Sequence, residues 1–337
     1  MSLFSWTPFP FAYLALYLAC IFTPLVIDAG RLQRALFFLP VLWLTARLWY
    51  DGEIGYLSGM AWFACLPIAS DFLLLTDVRG GVDGKPLLER IWWALDLLLT
   101  SGRGVGWAHS PRHLRVASNT QPTPAQFILS QTIQVVFLLF INDLAHLHAR
   151  WNPAYFGTIT WAIGAYATLA LVHVVASIVA VGSGISEPKY WPPLFGRLAD
   201  LASVRSFWSR AWHQLFRRGL TVHGRFLATS ILHLPPRSFA STCVTMLTAF
   251  LLSGLVHFLG EQSPLRRRGY TSGSLIFFGI QPVAIALEAI LGVFLQRNPR
   301  YLPSPRMQRV LGTLWVVSWF ALTFPTMQDP ILRAGGA

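Results

Sequence analysis

The sequence is short of charge. Only 12% of its residues are Asp, Glu, Lys or Arg, whereas 54% are hydrophobic. A soluble domain usually carries about 25% charged residues. A soluble fold of 337 residues could bury a large core, but its surface would still need charge that this chain lacks. Lipid must therefore be its main solvent. Cysteine is scarce too. Cys20, Cys65 and Cys243 lie in apolar runs without CxxC or metal-ligand spacing, which argues against a disulfide framework or a zinc site. No basic region precedes the first apolar run, so that run reads as a retained helix rather than a cleaved signal. No N-x-S/T sequon, internal repeat or low-complexity segment is present. HExxH, GxSxG and HxxxD are missing, which disfavours metalloprotease, α/β-hydrolase and soluble acyltransferase chemistry.

What the chain does have is long apolar runs. A membrane-spanning helix needs about 20 mostly apolar residues. Runs at 8–27, 35–50, 54–75, 126–147, 155–181, 239–260, 272–294 and 308–325 meet or approach that length. The expected fold is all-α: one polytopic integral membrane domain over 1–337, with about eight transmembrane helices and additional interfacial amphipathic helices. Prolines at span edges and small residues inside the spans are what membrane helices tolerate.

The formal net charge is +12. The basic residues sit between the apolar runs, a placement that suits a membrane surface and anionic cofactors rather than nucleic acid. Most of them fall in alternate loops: Arg31 and Arg34; Arg79 through Arg115; Lys189 through Arg237; Arg297 through Arg309. The opposite loops carry Arg150, Arg266, Arg267, Arg268 and Arg333, and Arg47 lies within a span. Positive loops face the cytosol, so both termini are expected in the lumen.

Two of these cytosolic loops are too long to be connectors. Residues 87–100 (LLERIWWALDLLLT) read as a helix lying at the interface. Residues 201–218 (LASVRSFWSRAWHQLFRR) read as a second. At 100° per residue Leu201, Val204, Phe207, Trp208, Ala211, Trp212, Leu215 and Phe216 fill one half of it. Ser206, Arg210, His213, Gln214 and Arg217 fill much of the other half. Arg210, Arg217 and Arg218 suit the phosphates of a nucleotide-like cofactor, or, equally, an anionic lipid surface.

Polar groups inside lipid are costly and mark cavities, partners or sites. The leading case is His257 in the sixth span. Ser253 precedes it by one turn and Glu261 follows it by one turn. Thr242, Ala249 and Ser253 form a stripe of small residues leading to it. An imidazole at the end of such a tunnel suits a general base, with Glu261 holding the ring if the helix continues that far. The alternative is a histidine near the lumenal interface that packs against another helix. Asn142, Asp143, His146 and His173 are weaker intrusions, better suited to inter-helix hydrogen bonds. Gln281 and Glu288 share one face of the seventh span, and a glutamate there must be paired or neutral. SGRGVGW (101–107) alone says only that the chain turns tightly.

Taken together, three motifs resemble the wax-synthase domain of the membrane-bound O-acyltransferase superfamily, in its fungal secondary-metabolite acetyltransferase branch. Arg103–Trp107 (RGVGW) is similar to that family's R-G-[I/V]-G-W turn. Phe207–Gln214 (FWSRAWHQ) is similar to its F-W-G-R-R-W-H-Q segment, with Ser209 and Ala211 in place of Gly and Arg. Phe250–His257 (FLLSGLVH) is similar to the F-x-x-S-G-x-x-H that carries the catalytic histidine. Phe278–Glu288 fits a looser pattern of Gln followed by Glu. The likeness covers about residues 85–290. It implies transfer of an acyl group, most simply acetyl, from acyl-CoA or acetyl-CoA as co-substrate to a hydroxyl of a lipophilic alcohol, with no permanently bound cofactor and no metal. Terpenoid or meroterpenoid metabolites are the implied acceptors, with wax or sterol esters as the alternative product and the endoplasmic reticulum as the expected membrane. In that scheme His257 and His213 are catalytic, and Arg210, Trp212, Gln214, Arg217 and Arg218 hold the donor. Arg103, Ser253, Gln281 and Glu288 support the substrate or the structure. The residues alone leave a proton-coupled transporter or a silent scaffold open.

Overall fold

The computed structural model describes residues 11–51, 56–78, 83–111, 114, 121–151 and 157–334. These residues form helices and turns, with no β-strand among them. In chain order the helices are α1 (Phe11–Val26), α2 (Arg31–Asp51), α3 (Tyr56–Ser70), α4 (Leu87–Thr100), α5 (Pro124–Trp151) and α6 (Gly157–Gly182). They continue with α7 (Val204–Ser206), α8 (Arg217–Phe226), α9 (Phe239–Arg266), α10 (Ser274–Arg297), α11 (Pro305–Thr323) and α12 (Pro325–Arg333). Wider π-helical turns at Asp71–Leu75, Phe207–Ala211 and Leu227–Ile231 prolong α3, α7 and α8. The first residues of the expected spans 8–27, 54–75 and 155–181, and the loop residues Arg79, Arg112 and Arg115, lie outside the described residues.

The helix starts follow from the sequence. At the head of α5, Thr123 Oγ1 accepts from the Gln126 N–H at 3.3 Å and Gln126 Oε1 accepts from the Thr123 N–H at 3.0 Å, a reciprocal cap. Ser238 Oγ accepts from the Ser241 N–H ahead of α9. Ser304 does the same for Met307 ahead of α11, whose first residue is Pro305.

Each expected span falls on a helix, and among the described residues four helices are long and apolar enough to cross a bilayer. Pro124–His148, Thr160–Gly182, Phe239–Gln262 and Ser274–Arg297 qualify, and a fifth crossing is added if α11 and α12 are one broken span. Ala12–Val26 and Gly59–Leu75 are apolar but shorter. α2 has the length, yet carries Arg31, Arg34 and Arg47. Within the qualifying window of α5 only 11% is buried, and in that of α6 22%. Leu129, Ile133, Val136, Phe137 and Phe140 of α5 face outward. Apolar surface on this scale needs lipid, so the chain is an integral membrane protein.

The chain forms two compact units. One comprises Met1–Arg103, Leu215–Ala286 and Thr326–Gly336; the other comprises Gly104–Gln214 and Leu287–Pro325. In the first, α1 packs on α2 and α4, and α9 packs on α3 and α8. Its core gathers Tyr17, Ile21, Val41, Leu44, Phe63 and Leu73, with Val256 and Leu259 of α9 against it. α3 and α9 cross with their backbones touching. A Cβ on Gly59 would stand 2.8 Å from the Gly260 carbonyl oxygen, and a Cβ on Gly260 would stand 2.7 Å from Met60 Sδ and 3.0 Å from Met60 N. Close crossings of this kind need small residues. Gly260→Val is expected to force the pair apart and lower stability by about 1–3 kcal/mol, read as a lower midpoint of thermal unfolding in detergent; an unchanged midpoint would show that the crossing yields freely.

In the second unit α5 lies along α6, with Leu138, Ala167, Ala170 and Val174 between them and Phe195 packed against them. A turn of 3₁₀ helix at Leu198–Leu201 sits against α11. A Cβ on Gly312 would meet the Ala202 carbonyl oxygen at 2.1 Å, so α11 approaches this turn closely.

Candidate active site

In the first unit α9 runs unbroken from Phe239 to Arg266, so it carries Ser253, His257 and Glu261 on successive turns of one face. The His257 Nδ1 lies 3.5 Å from Glu261 Oε1, with the histidine side chain 25% exposed and the glutamate side chain fully buried. The two atoms face each other without an aligned hydrogen bond, and among the described residues neither finds another hydrogen-bond partner. Nδ1 is itself buried, so the accessible part of the ring is carried by its other atoms. Phe278 of α10 stands over the imidazole with ring centroids 4.7 Å apart. That approach depends on Gly254, where a Cβ would come within 3.1 Å of Phe278 Cβ and 3.3 Å of the Ser274 carbonyl oxygen.

The other carboxylate oxygen is occupied. Glu261 Oε2 accepts from the Ser272 and Ser274 hydroxyls, each at 2.5 Å. The neighbouring Gln262 Oε1 accepts from the Ser272 N–H at 2.9 Å. The 272–274 turn is therefore clamped to the side chains of two consecutive residues of α9. Gln281, one turn beyond Phe277 and Phe278, is fully buried and its Nε2 donates to the Phe277 carbonyl at 2.9 Å.

The same unit holds part of the basic motif. Arg218 Nε donates to Asp71 Oδ2 at 2.8 Å, and its terminal nitrogen reaches Asp71 Oδ1 at 3.4 Å and Thr76 Oγ1 at 3.1 Å. Asp71 is 1% exposed, and Thr76 Oγ1 also donates to it. The guanidinium lies over the Phe72 ring, 5.0 Å from its centroid. Arg218 is thus engaged with a buried carboxylate 147 residues away, and its fork holds α8 to the end of α3. Ser70 Oγ, 2.7 Å from His223 Nε2, adds to the same junction. The Arg218 N–H donates to the Gly102 carbonyl at 3.1 Å, so the 101–103 turn meets the start of α8. Arg103 is buried, and burial lowers its pKa to about 10. Burial also lowers that of Arg217. A small pocket beside the Arg218–Asp71 pair is lined by Ser101, Gly102, Phe216 and Gly219.

In the second unit the motif residues 203–214 do not make the single amphipathic helix expected over 201–218. The chain turns once as α7, widens into the Phe207–Ala211 turn and breaks at Trp212, which is extended at φ −78° and ψ 152°. Two side-effects of the fold cause the break. Gln214 Nε2 donates to the Trp208 and Trp212 carbonyls at 2.8 Å each. The Gly196 N–H takes the Ala211 carbonyl at 2.9 Å. These carbonyls would otherwise accept from the next helical turn. His213 is left beside Trp212, with ring centroids 5.3 Å apart, and edge-on to Phe195 at 6.2 Å. Phe207 stacks on Trp212 at 5.7 Å. Arg210 is exposed.

Glu288 anchors this segment. Its Oε1 accepts from the Val204 N–H at 2.5 Å and from Trp315 Nε1 at 2.8 Å, and its Oε2 accepts from the Arg205 N–H at 3.1 Å. The glutamate expected to be paired or neutral is paired, with two backbone donors and an indole. The Gly104–Trp107 part of the RGVGW motif is a turn closed by the Trp107 N–H on the Gly104 carbonyl at 3.0 Å. Gly104 and Gly106 adopt φ of 76° and 81°, which glycine alone takes without strain.

Sequence reasoning singled out His257, Glu261 and Glu288 but missed Asp71, Gln262, Ser272 and Ser274. Asp71 ends an apolar run and could have been noticed as an intramembrane acid. Ser272 and Ser274 carry no such signal, since a Ser-Gly-Ser turn between helices is ordinary.

Comparison with known proteins bears on the chemistry of this site. Residues 191–280 match the model of the family described as "Membrane bound O-acyl transferase family". The chain is 31% identical over 315 residues to the acetyltransferase ple2 of Rhodocybe pseudopiperita, a match covering 87% of this chain and 82% of that one. It is 31% identical over 350 residues to the acetyltransferase eriL of Hericium erinaceus, covering 95% and 90%. The acetyltransferase pyr8 of Aspergillus fumigatus is 27% identical over 343 residues, covering 88% and 78%. No solved structure matches the chain. The region matched by the family model contains both motif histidines, His213 and His257, and the most extensive matches take in nearly the whole chain: it belongs to the membrane-bound O-acyltransferase family and is an O-acyltransferase.

Proposed function

We propose that this enzyme transfers an acetyl group from acetyl-CoA to a hydroxyl of a lipophilic acceptor of the terpenoid or meroterpenoid class, in the endoplasmic reticulum membrane. The observation that carries the reading is that chains matching 87% and 95% of this one bear the name acetyltransferase. His257 supports it from the chemical side, because its Nδ1 faces a buried carboxylate and its accessible edge is elsewhere.

In the proposed step the acceptor oxygen attacks the thioester carbonyl carbon while His257 Nε2 takes the hydroxyl proton. The carbon–sulfur bond breaks, the acetyl ester is released, and the proton leaves with the coenzyme A thiol. Base catalysis of this sort contributes about 10²–10⁴-fold, and holding both substrates in contact supplies much of the remainder. His213 donates a hydrogen bond to the developing oxyanion or orients the thioester. Arg210, Trp212 and Arg217 hold the donor. Gln214 acts indirectly, by fixing the chain break that presents His213, and Arg218 by fixing α8. Arg103, Ser253 and Gln281 support the first unit, and Glu288 the second.

The test is donor selection. Microsomes containing the enzyme, given a terpenoid alcohol and labelled acetyl-CoA or a labelled long-chain acyl-CoA, are expected to form the acetyl ester with the higher kcat/KM. Preferential formation of the long-chain ester would move the enzyme to wax or sterol ester synthesis.

A further inference from the structure

Glu261 is bonded lopsidedly. Oε2 accepts two hydroxyls at 2.5 Å each, while Oε1 has the imidazole at 3.5 Å and no aligned hydrogen bond. Glu261, Ser272 and Ser274 are all buried. Ser272 is itself held: its N–H donates to Gln262 Oε1 at 2.9 Å, and its Oγ accepts from the Ser274 N–H at 3.2 Å. A carboxylate pinned through one oxygen by two fixed donors cannot turn about its terminal bond. Its second oxygen therefore stays directed at Nδ1.

We propose that Ser272 and Ser274 are positioning residues for the acyl transfer, holding Glu261 so that Oε1 closes on the Nδ1–H of His257 as the imidazole takes up the acceptor proton. This rests on the reading of His257 as the base. The arrangement suits catalysis rather than packing alone. The Nδ1–Oε1 hydrogen bond is unmade in the resting structure and is gained when the ring becomes cationic. An interaction stronger in the transition state than in the ground state raises kcat and leaves substrate binding alone. Catalytic hydrogen bonds that are long at rest and tighten during reaction are a known pattern. Once closed, that bond holds the proton on Nδ1.

The experiment measures kcat and KM in membranes for Ser272→Ala, Ser274→Ala and the double variant, each in the wild-type and Glu261→Gln backgrounds, with rates normalised to folded enzyme. Hydrogen bonds to charged groups are strong enough that the double variant is expected to lose about ten- to a hundred-fold in kcat with KM unchanged for both substrates. In the Glu261→Gln background the same substitutions are expected to cost nothing further, because groups acting through one another are not additive. Ser272→Thr, which keeps the hydroxyl, is expected to restore most of the rate. Equal losses in both backgrounds, or a rise in KM at constant kcat, would overturn the proposal. An active His257→Ala enzyme sinks the base reading and this inference together. An inactive His257→Ala enzyme beside serine variants of wild-type kcat sinks the inference alone.

Discussion

Replacing His257 with alanine is expected to lower the rate of acyl transfer by about 10²–10⁴-fold, while the protein still accumulates and unfolds near the wild-type temperature. The structure separates the two effects. The imidazole is a quarter exposed, with Phe278 standing over it, so its loss opens space beside an accessible edge rather than within a sealed core. Its partner Glu261 keeps both serine hydroxyls and so remains satisfied on one oxygen. The loss should therefore appear in kcat, with the KM for the acyl donor nearly unchanged. The measurement is ester formation per folded enzyme, the amount and dispersity of the protein being read by size exclusion in detergent. Transfer at the wild-type rate by a monodisperse His257→Ala protein would refute the assignment. Asparagine at the same position is the sharper control, because it keeps a polar side chain while removing the base.

How far the sequence carried this site depends on the range of the interactions involved. The His257–Glu261 relation was legible because both residues lie on one helix, four apart, and a period of 3.6 places them on one face. The tight turn at 101–107 was legible because it is rich in glycine, two of which, Gly104 and Gly106, take positive φ. The 201–218 segment was misread for the opposite reason. Its apolar period fits a continuous helix, but Gln214 and Gly196 compete for the carbonyls that such a helix needs. Nothing in the local pattern announces that competition. The same holds for Asp71 and Arg218, which meet across 147 residues, and for the serines that hold Glu261. Composition alone identified the membrane class, while the number of crossings turns on helix length and on where the charges fall, which composition does not give. A run such as α2 is apolar on average and still carries three arginines, one of which, Arg34, is buried against Asp77 at 3.5 Å.

Glu288→Ala is expected to be the most destabilising single change in the second unit. One carboxylate receives three donors: the backbone N–H groups of Val204 and Arg205, just ahead of the FWSRAWHQ segment, and the indole of Trp315. Val204 is fully buried, so its N–H has no water to turn to once the acceptor is gone. Hydrogen bonds to a charged group contribute about 1.5–3 kcal/mol each, and they are not additive when they share an atom. A loss of about 3–5 kcal/mol follows, comparable to breaking a buried ion pair. The two smaller changes divide that loss between its sources. Glu288→Gln keeps one good acceptor and is expected to lose about half as much. Trp315→Phe keeps an aromatic ring but removes the indole donor together with part of the ring system, which is expected to cost about 1–3 kcal/mol. A larger loss for Glu288→Ala than for either Glu288→Gln or Trp315→Phe in thermal unfolding tests whether the carboxylate, rather than the packing of α10, holds the segment. Equal midpoints for Glu288→Ala and Trp315→Phe would mean that the Val204 and Arg205 N–H groups find other acceptors. Because the segment carries Arg210, Trp212 and His213, Glu288→Gln should also raise the KM for the acyl donor at temperatures where the protein remains folded. His257→Ala should leave that constant unmoved, so the two substitutions separate the grip on the donor from the chemistry done to it.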